Sequence, residues 1–440
     1  MAQRLTKLAT IVVASALMLT GCAAGAGDAE EPTTLSFRLW DETVADAYEA
    51  SFAAFEKENP DVDVDVTVVG WADYWTALRT DIAEKTMDDV FWLNNSSFGA
   101  YADAGKLVDI TALFGDEAED VWEDSVVTQF TRGETLWGVP QLYDAGIAVY
   151  YNTALLEAAG MTPADLESLT WSPDETVDTY LPAAKALTLD AAGVSAAAPE
   201  FDGIPVQYGT NLAYDTQAIM LPFIGSNGGV FQEGDTFTFS DPKTVLAFEY
   251  LVKAINTAKV APPAAETNAN GDLSRDAFLE GRMAMFQSGL YNLKNVADGA
   301  DFEWGVASMP SGPAGRVSVT NGVVVAGNAE SEKQEAIGKL LTWLGSKEAN
   351  SYLGASGAAV PAVTDAQQAY FDFWEGEGVS VKPFFDVANG EKTIGAPRGA
   401  NYGKGFEEFD PLFQDIFTGA LEPAAGLTRA EGAANAAIAG

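Results

Sequence analysis

Residues 138–152 read Gly-Val-Pro-Gln-Leu-Tyr-Asp-Ala-Gly-Ile-Ala-Val-Tyr-Tyr-Asn. A proline turn is followed by the polar and aromatic trio Gln141, Tyr143 and Asp144, a glycine, and an apolar run that closes on Asn152. Chain that leaves one compact unit and enters another as a strand has this pattern. An ordinary loop leading into a buried strand has it too, because short apolar runs bounded by turns are common. The flanking sequence therefore decides whether 138–152 is the first crossing of a hinge between two lobes.

On the N-terminal side, Leu35 to Trp40 reads as a strand. A helix follows with Val44, Tyr48, Phe52 and Phe55 on one stripe, ending at Asn59-Pro60. Val62, Val64, Val66 and Val68 alternate with Asp61, Asp63, Asp65 and Thr67, which predicts a strand with one wet face. The aspartates do not make an EF-hand loop, since Val66 stands where a glycine is needed. Trp71 opens a helix with Tyr74, Leu78 and Ile82 on one side, and Val90 to Leu93 forms a short strand before Asn94. Strand, helix, strand begins an α/β lobe, and ligands bind such lobes beyond the carboxyl ends of the strands. Trp40, Trp71 and Asn94 are thus expected to share one edge.

On the C-terminal side, a helix is expected over Ala154–Ala159. Others are expected to open at Trp171 with Ser172 as cap, to run over Asn211–Phe223, to start at Asp241-Pro242, and to cover Arg275–Gly281. Strands are expected at Ile204–Tyr208, Trp304–Met309 and Gly322–Ala326, and one long amphipathic helix over Ala336–Leu353. The alternation predicts an α/β fold with a mixed or parallel sheet in each of two lobes. A chain of 440 residues is long enough for both, since single cores rarely grow past ~250–300 residues.

Composition excludes several kinds of chemistry. Against 64 Asp and Glu stand 24 Lys and Arg, a formal net charge of −40, which disfavours nucleic acid and anionic membrane surfaces as partners. There is no histidine, which removes Ser-His-Asp and Cys-His nucleophiles and the usual zinc ligands. Cys22 is the sole cysteine, so no disulfide forms within the chain. No cofactor is called for.

That cysteine closes the N-terminal segment. Arg4 and Lys7 precede an apolar run from Leu8 to Leu19, which ends in Leu19-Thr-Gly-Cys22. A helix over the run would reach only ~18 Å, short of the ~30 Å hydrocarbon core, so 1–21 reads as a signal peptide rather than a span. The ending resembles a bacterial lipobox, which implies cleavage before Cys22 and its lipidation. Residues 22–32 then form a lipidated cysteine and flexible tether. This places the body on the extracellular face of the cytoplasmic membrane.

Several segments in order resemble the extracellular solute-binding proteins of carbohydrate ABC importers, of the maltodextrin-binding type. They are the lipobox, Tyr101-Ala-Asp-Ala-Gly-Lys-Leu-Val-Asp-Ile110, the stretch from Gly138 to Asn152 with Ala159-Gly160, Thr170-Trp171, and Asn227-Gly-Gly. They continue with Phe278-Leu-Glu-Gly-Arg-Met-Ala-Met285, Ser308-Met-Pro-Ser-Gly-Pro313 and Gly357-Ala-Ala-Val-Pro361. The chain departs from the pattern at Asp88-Asp89, where a Pro-Asp pair is usual, and at Leu290-Tyr291, where a tryptophan is usual.

The resemblance implies two α/β lobes, 33–143 with 307–355 and 144–306 with 357–440. They would be joined by several crossings and would close on a sugar. It further implies a monomer that hands its cargo to the transmembrane subunits of a permease driven by a separate cytoplasmic ATPase, with the lipid as its only membrane contact.

A sugar offers apolar C–H faces and a rim of hydroxyls, so aromatic platforms and fixed amides or acids suit it. Trp40, Trp71, Tyr291 and Trp304 are the candidate platforms, and core packing is the alternative for each. Asn94, Gln141, Asp144, Gln207, Asn211 and Asn321 are candidate hydrogen-bonding groups, with capping and turn roles as alternatives. Arg398 could face the cleft or make a surface ion pair. Two other functional classes remain at this point: a secreted glycoside hydrolase using two carboxylates, and a scaffolding or adhesive lipoprotein without a pocket.

Overall fold

A computed structural model describes residues 31–115, 120–388, 392–399 and 401–439. The signal segment and Cys22 lie outside the described residues. Among the described residues, no helix is long and apolar enough to cross a membrane.

Nine strands build the two main sheets. They are β1 (Thr33–Leu39), β2 (Val62–Val68), β3 (Val90–Asn94), β4 (Val139–Asp144), β5 (Ile147–Asn152), β6 (Met285–Gly289), β7 (Trp304–Ser308), β8 (Ser318–Gly327) and β9 (Thr393–Gly395). The first sheet runs β2-β1-β3-β8, with β4 and β9 also paired to β8. β1 pairs in parallel with β2 and β3, while β8 is antiparallel to β3 and β4. This is the mixed sheet expected of an α/β lobe. The second sheet, β6-β5-β7, is wholly antiparallel, which corrects the expectation of a parallel or mixed sheet there. Its helices are not crossovers between adjacent parallel strands, and antiparallel neighbours need none.

Local sequence accounts for most elements. The helix Glu42–Glu58 starts where the Asp41 carboxylate accepts from the Thr43 amide at 2.9 Å. Its stripe of Val44, Tyr48, Phe52 and Phe55 is sealed against the sheet. In β2 the aspartates face solvent and the valines are wholly or partly covered, as the alternation demands.

Three helices differ from expectation, and one of them, over Asn211–Phe223, belongs with the candidate site. No helix opens at Trp171. There the Ser172 hydroxyl and the Asp174 carboxylate take up the amides of Asp174 and Thr176, and Asp178 those of Tyr180 and Leu181, so the helix waits until Tyr180. The expected long helix over Ala336–Leu353 is two, Gln334–Leu344 and Lys347–Ala355. Ser346 caps the second, and Gly345 lies so close to Phe114 and Trp122 that a side chain there would collide. The Trp122 indole also donates to the Gly345 carbonyl at 3.1 Å. The break thus lies at a tertiary contact.

Two apolar cores result: β4 packs in the first, β5 lays Ala148 and Tyr150 in the first and Ile147 and Val149 in the second, and β8 passes from the second to the first. Tyr143 and Ala145 belong to the first core and Ile147 to the second. Val319 belongs to the second core, whereas Val324, Val325 and Ala326 belong to the first. Asn321 lies at the changeover along β8, and it faces Asp144, the last residue of β4, in the β4–β8 ladder. Gly146 beside them is required by space, since a Cβ would come within 2.4 Å of the Ser318 hydroxyl and 2.6 Å of the Phe384 carbonyl. The chain beyond Gly357 serves both cores. Val360, Tyr370, Trp374 and Phe384 pack in the first, and Phe409, Phe413, Phe417 and Leu427 in the second.

Candidate functional site

At the carboxyl ends of β1 and β3 the first lobe carries an aromatic cluster. The Trp40 ring stands 5.4 Å from Trp71, 5.1 Å from Tyr74, 5.4 Å from Trp75 and 4.7 Å from Trp92, mostly edge to face. Trp92 and Tyr74 are sealed, Trp40 is half-buried and Trp71 is 54% exposed. The cluster thus holds Trp40 firmly and leaves Trp71 as open apolar surface. Asn94 ends β3 beside it and accepts from the Ser96 hydroxyl and the Ser97 amide. Asp41 follows Trp40, its carboxyl raised by burial and opposed by its Thr43 bonds and by Arg275.

Where β4 and β8 meet, Asp144 and Asn321 are joined by a residue that the sequence did not single out. Gln217 Nε2 donates to Asp144 Oδ2 at 2.6 Å, and Gln217 Oε1 accepts from Asn321 Nδ2 at 3.1 Å. The direction of this hydrogen-bond chain is fixed because Asn321 Oδ1 already accepts from the Gly322 amide. The second oxygen of Asp144, Oδ1, is buried without a hydrogen-bond partner. Burial pushes the Asp144 carboxyl up to about 7, against the Gln217 bond and the Leu290 amide. Tyr291 lies in the turn after β6, 38% exposed, with its ring against Gly289, where a Cβ would fall 2.2 Å from it.

Gln217 is presented by an unusual turn. The helix expected over Asn211–Phe223 is instead a π-turn, Thr216–Met220, running into a short helix, Leu221–Ser226. Asp215 caps it by accepting from the Ala218 amide, and the Asp215 carbonyl receives the amides of Ile219 and Met220. Pro222 has no amide for Ala218 and its ring would crowd that carbonyl, which a wider turn relieves. The legible signal was a capping aspartate followed too soon by a proline.

Residues 41–351 match the family described as bacterial extracellular solute-binding protein. The chain belongs to that family. This solute-binding protein is 51% identical to UspC of M. tuberculosis, covering 92% of the present chain and 100% of that one, with a TM-score of 0.72. It shares its fold with the substrate-binding protein Lmo0181 of Listeria monocytogenes, solved with cycloalternan, at 22% identity and a TM-score of 0.79. That match covers 93% of this chain and 100% of the other. The maltodextrin-binding protein MdxE of Bacillus subtilis is 25% identical over 323 residues, 71% of this chain and 69% of that protein.

The remaining candidates of the solute-binding protein stand apart from these two groups. Gln141 is fully buried, its Nε2 donating to the Pro140 and Leu344 carbonyls and its Oε1 accepting from the Tyr48 hydroxyl. Asn211 holds the Gln287 backbone with both ends of its amide. Gln207 donates to the Leu187 carbonyl in a small hairpin of the second lobe. Trp304 pairs with Asn152, at the end of the second sheet opposite the one that carries Gly289 and Ile147. Arg398 is exposed, with its backbone clamped by the Gln232 side chain and no ion pair among the described residues.

Proposed function

We propose that this protein captures a sugar or oligosaccharide between its lobes and delivers it to the transmembrane subunits of an ABC-type permease with a separate ATPase. The observation that carries the reading is the exposed face of Trp71 braced by Trp40, at strand ends where a ligand is expected. An apolar plate of this kind suits a pyranose face, and Asn94 stands beside it for hydroxyls. The names of two relatives, a cycloalternan complex and a maltodextrin-binding protein, support the same cargo class.

The reading includes a monomer without turnover, held outside the cytoplasmic membrane by a lipid on Cys22 after removal of residues 1–21. It takes 33–143 with 307–355 and 144–306 with 357–440 as the lobes, with the segment after Gly357 packed on both cores. Closure follows because a solute that touches both lobes favours the closed form, and the closed form is what a permease can recognise.

A thermal-shift panel of mono- and oligosaccharides and polyols, with product analysis of each hit, tests it. A solute at 100 times its Kd stabilises the native state by about 2.7 kcal/mol. A shift without products supports the reading. A shift accompanied by hydrolysis, or no shift across the panel, overturns it.

A further inference from the structure

We propose that Gln217 is a positioning residue, the latch that fastens the second lobe to both crossing strands and ties the closing of the cleft to whether Asp144 carries a proton. The inference rests on the solute-capture reading and concerns the movement that capture requires.

The geometry is specific to this position. Asn321 sits where β8 changes cores, and Asp144, the last residue of β4 before the chain turns into β5, faces it in the ladder. Gln217 stands on a turn whose next three residues, Ala218, Ile219 and Met220, are buried in the second core. Its amide bonds both hinge residues at once, so rotation of the second lobe about the crossings must either carry the latch intact or break it. A π-turn places a side chain where a regular helix would not, and such turns recur at functional sites.

The proton enters through the buried oxygen. Asp144 Oδ1 makes no hydrogen bond, and although the Leu290 amide favours the charged form, an ionised carboxylate so placed is costly unless it is paired or hydrated. The facing groups offer no cation: Tyr143 on its own strand, Tyr150 on β5, Asp215 on the turn, Tyr291 after β6 and Tyr370 on the helix Gln367–Gly376. Glu123, beside the helix packed on β4, is held by Gln367, and on the helix Lys382–Ala388 the one lysine pairs with Asp386. With a titration near 7, Asp144 is neutral below that pH, and the latch keeps the lobes as they stand. Above it, opening that admits water to Oδ1 is favoured.

Pulsed spin-label distances between Glu58→Cys and Arg429→Cys, in the full chain carrying Cys22→Ser, read the lobe separation with no solute present. The wild-type distribution is expected to be narrow near pH 5 and to broaden toward longer distances near pH 9. Gln217→Met, which keeps the volume, should be broad at both. Gln217→Glu should look like wild type near pH 5, where two facing carboxyls can share a proton, and fail near pH 9, where they repel. Asp144→Asn should lose the pH response. Gln217→Met coinciding with wild type at both pH values would overturn the latch, and a wild-type distribution that ignores pH would overturn the proton link. Melting curves of each variant separate these outcomes from misfolding. An empty sugar panel would sink the capture reading and leave this measurement intact.

Discussion

Gln217 donates to Asp144 across 2.6 Å, and that bond joins a turn packed in the second core to the last residue of a strand packed in the first. The carboxyl it meets is raised to about 7 by burial, with no cation acting on it. Burial at this strand end therefore favours the protonated form of the acid.

This fixes the sign of a pH effect on stability. Asp144 titrates higher in the folded protein than the ordinary aspartate value of 3.8, so the folded state binds the extra proton. Its contribution is fully present below about pH 4 and is lost as pH rises through about 7. Each tenfold change in proton affinity is worth about 1.4 kcal/mol, so the loss is at most about 4 kcal/mol. Urea midpoints near pH 5 and pH 8 should fall with pH in the wild type and fall less in Asp144→Asn. Equal slopes in the two proteins would show that Asp144 does not titrate in this window.

Trp71 and Trp92 belong to one aromatic cluster and should separate binding from folding. Trp71→Ala removes an exposed ring and should change stability by no more than about 0.5 kcal/mol. It should weaken affinity for a saccharide identified in the panel by about tenfold, the worth of one stacked ring. Trp92→Ala empties a sealed site and should cost about 3–5 kcal/mol in denaturant unfolding. Unchanged titration calorimetry for Trp71→Ala would remove that residue from the site.

Gly146→Ala tests the crowding between the crossing strands. The added Cβ meets the Ser318 hydroxyl and the Phe384 carbonyl, and the Ser318 hydroxyl already accepts from the Ile147 amide at 2.9 Å. A loss of about 1–3 kcal/mol in thermal or urea unfolding is expected, the usual range for overpacking. A neutral result would mean that the crossing strands can move apart freely.

Gly345 and Ser346 give a check away from the hinge. Ser346→Ala deletes a helix cap and should cost about 1 kcal/mol. Gly345→Ala improves helix propensity, yet it should destabilise, because the methyl lands 2.9 Å from the Phe114 ring. A stabilised Gly345→Ala protein would show that local propensity, not the tertiary contact, sets the break.

Much of the fold was legible in the chain. The Val–Asp alternation of β2, the stripe Val44, Tyr48, Phe52 and Phe55, and the apolar run of β5 are all local patterns, and each formed the element it predicted. The misses among the helices share one cause. At Trp171, Gly345 and Asn211–Phe223, side chains or distant rings compete with the helical backbone, and periodicity does not register them. The site was legible in part. Trp40, Trp71 and Asn94 follow from strand ends and were expected on one edge, where they stand; Gln217 depends on a turn that no period describes.

Residues close together along the chain were enough to specify most elements, the acidity and the absence of histidine. Long-range packing was needed to set Asn321 opposite Asp144, to bring Gln217 between them, and to use up Gln141 and Asn211 inside the lobes. Those are pairings between residues far apart in the chain. They are set by which strands become neighbours and which polar atoms burial leaves without water, and neither is written in local order.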